Sequence, residues 1–184
     1  MRSCIILCLL FMSSCSMPET KIYSLYVPAE SGSAQSGKQG MVTLRVQSPR
    51  YLAQPYIAHR LSPYQLEISG YAKWESPPAD MVRDIFQDAL AARFQQVRVS
   101  HAAAAGSVAL TVNLKRFERV DESYGELELD AEISAADGKN IRRMTVRRKV
   151  QLETKDYAGL AKALSSALSE AVREVIAATG SGVE

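Results

Sequence analysis

The chain has 184 residues, of which 47% are hydrophobic and 23% charged, and its formal net charge is +2. This length corresponds to about one domain with room for a substantial core. The nearly neutral charge argues against nucleic-acid binding, which requires a strongly basic surface.

The N-terminus has the features of an export signal. A basic residue precedes an unbroken apolar run over residues 4–12. This run is too short to span a bilayer as a helix, and its length is typical of a secretory signal peptide. All three cysteines (Cys4, Cys8 and Cys15) lie in or just after it, so the rest of the chain must fold without disulfides.

The residues around Cys15 indicate lipidation. The sequence MSSC at residues 12–15 resembles the lipobox of bacterial lipoproteins, where small residues expose the bond before the cysteine to a peptidase. We predict a signal peptide at residues 1–14 and a diacylglyceryl thioether and an N-acyl lipid on Cys15. An ordinary signal peptide with an incidental cysteine is the alternative. Ser16 stands where aspartate would retain a lipoprotein at the inner membrane, which favours the periplasmic face of the outer membrane of a Gram-negative cell.

Short apolar patterns then predict strands at residues 21–27, 41–47, 57–61 and 64–69. The Gly-, Ser- and Gln-rich residues 29–40 predict a flexible loop. We therefore divide the mature chain into residues 15–40 (lipid anchor, short strand and loop), an α+β domain at 41–179 and a flexible tail at 180–184.

A first helix is predicted to begin with Ser76 as its N-cap and Pro77 in the first helical position. Its apolar stripe recurs every four residues, at Val82, Phe86, Leu90 and Phe94. A second helix is predicted from about Asp156 to Ala178, with alanines beside an apolar stripe. The stripe consists of Tyr157, Leu160, Leu164, Leu168, Val172, Val175 and Ile176. For both stripes, core packing is favoured over a cofactor pocket.

Between the helices, alternating residues predict strands at 108–115, 125–134 and 141–153, the last two joined by a two-residue hairpin loop at Asp137-Gly138. With that loop, two residues are cross-strand partners when their numbers sum to 275. One hairpin face then pairs opposite charges: Glu126 with Lys149, Glu128 with Arg147 and Glu132 with Arg143. The same register places Arg142 and Arg148 on the apolar face of the hairpin and does not explain why charged side chains lie there.

These elements predict an α+β fold: a mostly antiparallel sheet with two helices packed on one face, in a single domain. The sequence offers little chemistry, because its only histidines, His59 and His101, have no carboxylate or cysteine at metal-ligand spacing. It also lacks a glycine-rich phosphate loop and a nucleophile elbow. We therefore predict a non-enzyme with no metal and no cofactor besides the lipid on Cys15.

Residues 48–77 contain four tyrosines, four prolines and the only tryptophan. With the lipobox and the strand at residues 22–25, this stretch resembles the ABC-type transport auxiliary lipoproteins, the PqiC-like group. The match rests on Pro49, Tyr51, Leu52, Pro55, Ile57 and Arg60, on Trp74 and Pro77 at the helix entry, and on residues 157–168 of the terminal helix. Pro78 stands where leucine is common in the family.

The resemblance implies a lipoprotein that works with an inner-membrane ABC transporter and an MCE-domain protein to move lipids or other hydrophobic molecules between two membranes. It also marks a motif that either docks a partner or forms core and turns: Tyr51, Leu52, Pro55, Arg60, Trp74 and Pro77. A pilotin-like assembly lipoprotein and a stand-alone lipid-binding carrier are the alternatives. Exposed strand edges are compatible with a homo-oligomer.

Overall fold

The structure is a computed structural model that describes residues 19–28 and 38–180. The predicted signal peptide, Cys15, most of the predicted loop and the C-terminal residues 181–184 lie outside this part of the chain.

The described residues form eight strands and two α-helices. A 3-10 turn at Arg50–Ala53 lies between the second and third strands. The elements in chain order are β1 (Lys21–Tyr23), β2 (Gln39–Gln47), β3 (Tyr56–Ser62), β4 (Gln65–Trp74), α1 (Pro78–Ala91), β5 (Phe94–Val99), β6 (Val108–Val120), β7 (Tyr124–Ser134), β8 (Ile141–Gln151) and α2 (Tyr157–Gly180).

All eight strands belong to one mixed sheet organised around the long strand β6. One edge of β6 pairs along its length with β7, and β8 follows, both antiparallel. The other edge is shared, because residues 108–113 pair parallel with β2 and residues 118–120 pair parallel with β3. The β2 branch continues to β5, and the β3 branch continues to β4 and β1. The predicted α+β class is confirmed; the three antiparallel pairings hold most of the paired residues.

The hairpin register is as predicted, since every paired position of β7 and β8 sums to 275. Arg147 Nη2 lies 2.8 Å from Glu128 Oε1, and Arg143 Nε lies 2.7 Å from Glu132 Oε2. Glu126 is opposite Lys149 but pairs with Arg116 of β6, at 3.1 Å. Charge complementarity across the hairpin therefore stabilises the predicted register.

The predicted loop of this hairpin is wrong. The Gly138 N–H donates to the Ala135 carbonyl at 2.9 Å, and of these residues only Gly138 has positive φ, 69°. A two-residue loop would have required positive φ at Asp137 as well. The turn therefore precedes Gly138, and the Ala135 N–H donates to Asn140 at the base of a longer loop.

The two arginines that the register left unexplained reach the terminal helix. Arg148 bridges two carboxylates of α2, with Nε 3.2 Å from Glu170 Oε2 and Nη2 2.6 Å from Glu174 Oε2. Arg142 Nη1 lies 3.5 Å from the Ala178 carbonyl oxygen. The long side chains thus leave the apolar face at its edge and fasten α2 to β8.

Helix α1 begins one residue later than predicted. Ser76 does not cap it; the residue before the helix is Pro77, whose carbonyl accepts the N–H groups of Asp80 and Met81 at 2.9 and 3.1 Å. Pro77 has an extended conformation (φ −53°, ψ 138°) because a residue followed by proline is disfavoured in the helical region. Pro78 therefore takes the first helical position.

The C-terminal end of α1 also differs from the prediction. The helix ends at Ala91, and Phe94 opens the unpredicted strand β5 opposite Gln39. Phe94 is still buried, so its place in the apolar pattern was right and its secondary structure was wrong. Only Phe94 is buried and Val97 half-buried in β5, and this spacing of three lacks the alternation that predicts a strand.

Both helices lie on the same face of the sheet, as predicted, and the structure shows that they also contact each other. The core between them and the sheet is one continuous cluster that includes Trp74, Phe86, Leu129 and Leu164. In the described part of the chain, neither helix is both long and apolar enough to cross a membrane.

The start of α2 is tightly packed. Asp156 caps the helix, because its Oδ1 accepts the Gly159 N–H at 2.7 Å and its carbonyl accepts the Leu160 N–H at 3.1 Å. The Gly159 N–H, and then the Thr154 hydroxyl on the same oxygen, lower the pKa of the Asp156 carboxyl. A Cβ at position 159 would overlap the carbonyl oxygen of Thr154.

We therefore expect Gly159→Ala to displace the capping segment and lower the free energy of unfolding by about 1–3 kcal/mol, measured by urea unfolding of the purified chain. The matched control is Gly70→Ala, since a Cβ there has no heavy atom within 4 Å. Equal stability of the two variants would contradict the packing described for this helix start.

Candidate functional site

The motif residues gather where the edge of β6 passes from β2 to β3. The 3-10 turn, the middle of β3 and the end of β4 meet Phe117 and Glu118 of β6 at this point, which we call the β6 junction. Its geometry shows what each predicted residue contacts.

A buried carboxylate forms the polar centre of the β6 junction. Glu118 has no exposed surface, and Arg60 holds it with both ends of its guanidinium. Arg60 Nε lies 2.5 Å from Glu118 Oε1, and Nη2 lies 3.0 Å from Oε2. The paired hydrogen bonds compensate for the removal of the carboxylate from water.

Tyr51 completes this cluster. Its hydroxyl lies 3.3 Å from Glu118 Oε2 and 3.2 Å from the carbonyl oxygen of Lys115. Burial, and then the negative charge of Glu118, raise the pKa of Tyr51 to about 12. The hydrogen bond to Glu118 likewise raises the pKa of Arg60. The phenol therefore stays protonated as a donor, and the guanidinium stays charged.

The remaining motif residues pack or shape the backbone. Leu52 and Trp74 are buried, and the Trp74 ring meets Phe117 edge to face at 5.4 Å. The Trp74 backbone N–H donates to the Pro55 carbonyl at 2.8 Å. Pro77 precedes α1. Five of the six residues are thus accounted for by packing or hydrogen bonds in the sheet, and Pro77 by the start of α1. A docking role for them stays a prediction.

Sequence reasoning missed Glu118. It lies three residues beyond the end of the predicted strand at 108–115, between the apolar Phe117 and the buried Arg119. Arg60 and Tyr51 were singled out from the family motif, but nothing in a single sequence links them to a carboxylate some sixty residues away. The detectable signal was a charged pair, Glu118-Arg119, in the interior of a strand.

The two histidines do not form a site. His59 lies on β3, where its Nε2 accepts the Glu122 N–H at 3.4 Å, and His101 is exposed in the loop after β5. Burial, and then the charge of Arg119, lower the pKa of His59, so the ring stays neutral. Among residues 19–28 and 38–180, no group of three His, Asp or Glu side chains is arranged to hold a metal ion.

The same stretch of chain also exposes apolar side chains. Tyr56, Leu61, Tyr64, Ile68 and Tyr71 are all exposed on the hairpin of β3 and β4. Lys73 Nζ lies 5.4 Å from the centre of the Tyr56 ring. The aromatic character that marked residues 48–77 therefore divides into a buried part at the β6 junction and an exposed part on the hairpin.

We expect Arg60→Ala to lower the free energy of unfolding by about 3 kcal/mol, because it leaves the Glu118 carboxylate buried and uncompensated. Adding Glu118→Gln to Arg60→Ala should recover part of the loss, since the amide carries no charge. The control is Arg116→Ala, which removes a more exposed arginine from Glu126 and Glu128 and should cost about 1 kcal/mol or less. A urea-unfolding double-mutant cycle measures these differences; equal costs for Arg60→Ala and Arg116→Ala would refute the role of Glu118.

Two crystal structures share this fold. One, of an uncharacterized protein, has a TM-score of 0.70 at 14% identity and covers 87% of this chain and 98% of that chain. The other, of a Xanthomonas campestris protein of family DUF330, has a TM-score of 0.68 at 23% identity and covers 88% of this chain and 97% of that chain. No curated protein matches the chain.

The model of one protein family matches residues 23–176, which run from the end of β1 into the last turns of α2. The description of that family is "ABC-type transport auxiliary lipoprotein component". Since the match spans most of the chain, this protein belongs to the family of ABC-type transport auxiliary lipoprotein components.

Proposed function

We propose that this lipoprotein is anchored through Cys15 to the periplasmic face of the outer membrane and acts as a non-catalytic accessory component of an intermembrane transport system. Its partners are an MCE-domain protein and an inner-membrane ABC transporter, and its cargo is lipid or another hydrophobic molecule. The observation that carries the proposal is the family match over residues 23–176. The lipobox-like residues 12–15 supply the anchor.

The chemistry of the β6 junction supports a non-catalytic role. An acid or base catalyst needs access to substrate and a pKa near the working pH. Glu118 is sealed from solvent and held by Arg60, and the pKa of Tyr51 is raised far from neutral. Both features suit a group that stabilises the fold.

The described residues favour an accessory role over a stand-alone lipid carrier. A carrier must enclose most of the surface of its ligand. A groove of about 620 Å³ lies between residues 23–28 and α2, and it is open to solvent rather than enclosed. Its wall is mostly apolar and also carries the charges of Lys162, Glu170 and Arg173, but it leaves a bound acyl chain exposed to water.

The predicted docking role of the motif residues is tested at Trp74. Trp74→Ala removes a buried indole and should lower the free energy of unfolding by about 3–5 kcal/mol. The matched control is Tyr71→Ala, which truncates a nearby exposed ring and should leave stability nearly unchanged. Thermal unfolding distinguishes the two, and a folded Trp74→Ala chain that no longer binds its partner would assign Trp74 to docking.

In-cell crosslinking of the full-length chain tests the transport role. We expect mass spectrometry of the crosslinked complexes, purified in mild detergent, to identify an MCE-domain protein. The control is Cys15→Ser, which cannot be lipidated at this position and should lose both the membrane fraction and the crosslink. Recovery of only the chain itself or of a secretion pore would instead identify an assembly lipoprotein of the pilotin type.

A further inference from the structure

Exposed apolar side chains are concentrated in one part of the molecule. Of the nine large hydrophobic residues exposed in the described part, seven lie between residues 22 and 71, and only Val99 and Ile141 lie elsewhere. The seven belong to β1, the segment after it, and the hairpin of β3 and β4. We call these three strands, β1, β4 and β3, the wing.

The strand register brings several of these residues onto one face of the wing, opposite the helices. Ile22 of β1 is opposite Lys73 of β4, and Lys73 is opposite Tyr56 of β3, so the three form a row across the wing. Beyond a register shift between Tyr56 and Ala58, Ile68 is opposite Ala58 on the same face. Trp74 and Ala72, which alternate with Lys73, point into the core. The face of the wing away from the helices thus carries apolar and aromatic side chains around Lys73. Arg60, which follows Ala58 on this face, is mostly covered and is paired with Glu118.

The length of the preceding chain places this face near the anchor. Lys21 is six residues beyond Cys15, so their Cα atoms are separated by about 20 Å or less even when the linker is fully extended. Strand β1 lies at the edge of the sheet and pairs only with β4 among the described strands. A chain held at Cys15 therefore brings the wing to the bilayer before any other part of the sheet.

From this placement we infer that the wing rests on the surface of the membrane that holds the lipid, through Ile22, Tyr56, Ile68 and Tyr71. The inference depends on the proposed anchor at Cys15. Tyrosine favours the membrane–water interface because its ring is apolar and its hydroxyl is polar. Lysine extends its aliphatic stem over apolar surface and keeps its charge in water. The composition of the wing matches such an interface. The acyl chains attach the protein to the membrane, and contact of the wing with the bilayer fixes the orientation of the domain.

The test uses the absence of cysteine after position 15. A single Ile68→Cys substitution in the full-length lipidated chain accepts an NBD dye, and Tyr71→Cys provides a second position. The control is Ile141→Cys, because Ile141 is as exposed as Ile68 (51% against 46%) but lies on β8. The protein without an introduced cysteine serves as a second control, because any dye that it takes up has reacted at another position. Each protein is reconstituted in phosphatidylethanolamine–phosphatidylglycerol vesicles that contain brominated acyl chains.

We expect the dye at positions 68 and 71 to shift to the blue and to be quenched by the brominated chains several-fold more than the dye at position 141. Equal, weak quenching at all three positions, with mass spectrometry showing lipid on Cys15, would overturn the inference and leave the anchor intact. A blue shift without quenching that disappears on dilution would assign the wing to a second copy of the chain instead. If mass spectrometry finds no lipid on Cys15 and the protein does not bind vesicles, the proposed anchor itself is overturned. That outcome is distinct from failure of the inference about the wing.

Discussion

The buried ion pair between Glu118 and Arg60 determines how the two branches of the sheet are joined. The β3 branch meets β6 over only three paired positions, Ala58 to Arg60 against Glu118 to Val120. Three residues of parallel pairing supply little backbone hydrogen bonding, so side chains must fix the branch. Because an unpaired carboxylate is costly away from water, Glu118 holds Arg60, and with it β3, in one position. Trp74 against Phe117 adds an apolar contact at the same point.

Fixing β3 also fixes the route of the chain toward its N-terminus. Strand β4 pairs with β3, and β1 pairs with β4, so the branch held by Glu118 carries β1 at its far edge. The segment after β1 then returns to the helix layer, where the Tyr26 N–H donates to the Ser165 hydroxyl at 3.0 Å. The residues nearest the proposed lipid are thus linked to both the sheet and α2. A lipid-bearing segment that joins a rigid strand can orient the domain. A segment that joins a mobile end would only limit the distance between the domain and the membrane.

The sequence predicted individual helices and strands better than it predicted which strands pair with each other. The register of β7 and β8 followed from alternating charges and one turn, because cross-strand neighbours in a hairpin are also close in sequence. The parallel pairings of β2, β3 and β5 join segments far apart, and no periodicity in one sequence encodes them. Glu118 was missed for the same reason. The start of α1 was misplaced because two prolines competed for the first helical position, and the conformational restriction on the residue before a proline decided between them.

The sheet face opposite the helices offers two kinds of binding surface. On β7 and β8 the charges already pair with each other, as Glu128 does with Arg147 and Glu132 with Arg143. A partner that binds this half must replace these exposed ion pairs with ion pairs of its own, and each such pair contributes little free energy. Binding there therefore gains specificity more than affinity. On the wing, each square ångström of apolar surface removed from water contributes about 25 cal/mol. The apolar surface that burial could stabilise is therefore concentrated on the wing, the half of the face that contains the N-terminal strand β1, whereas the half on β7 and β8 carries paired charges.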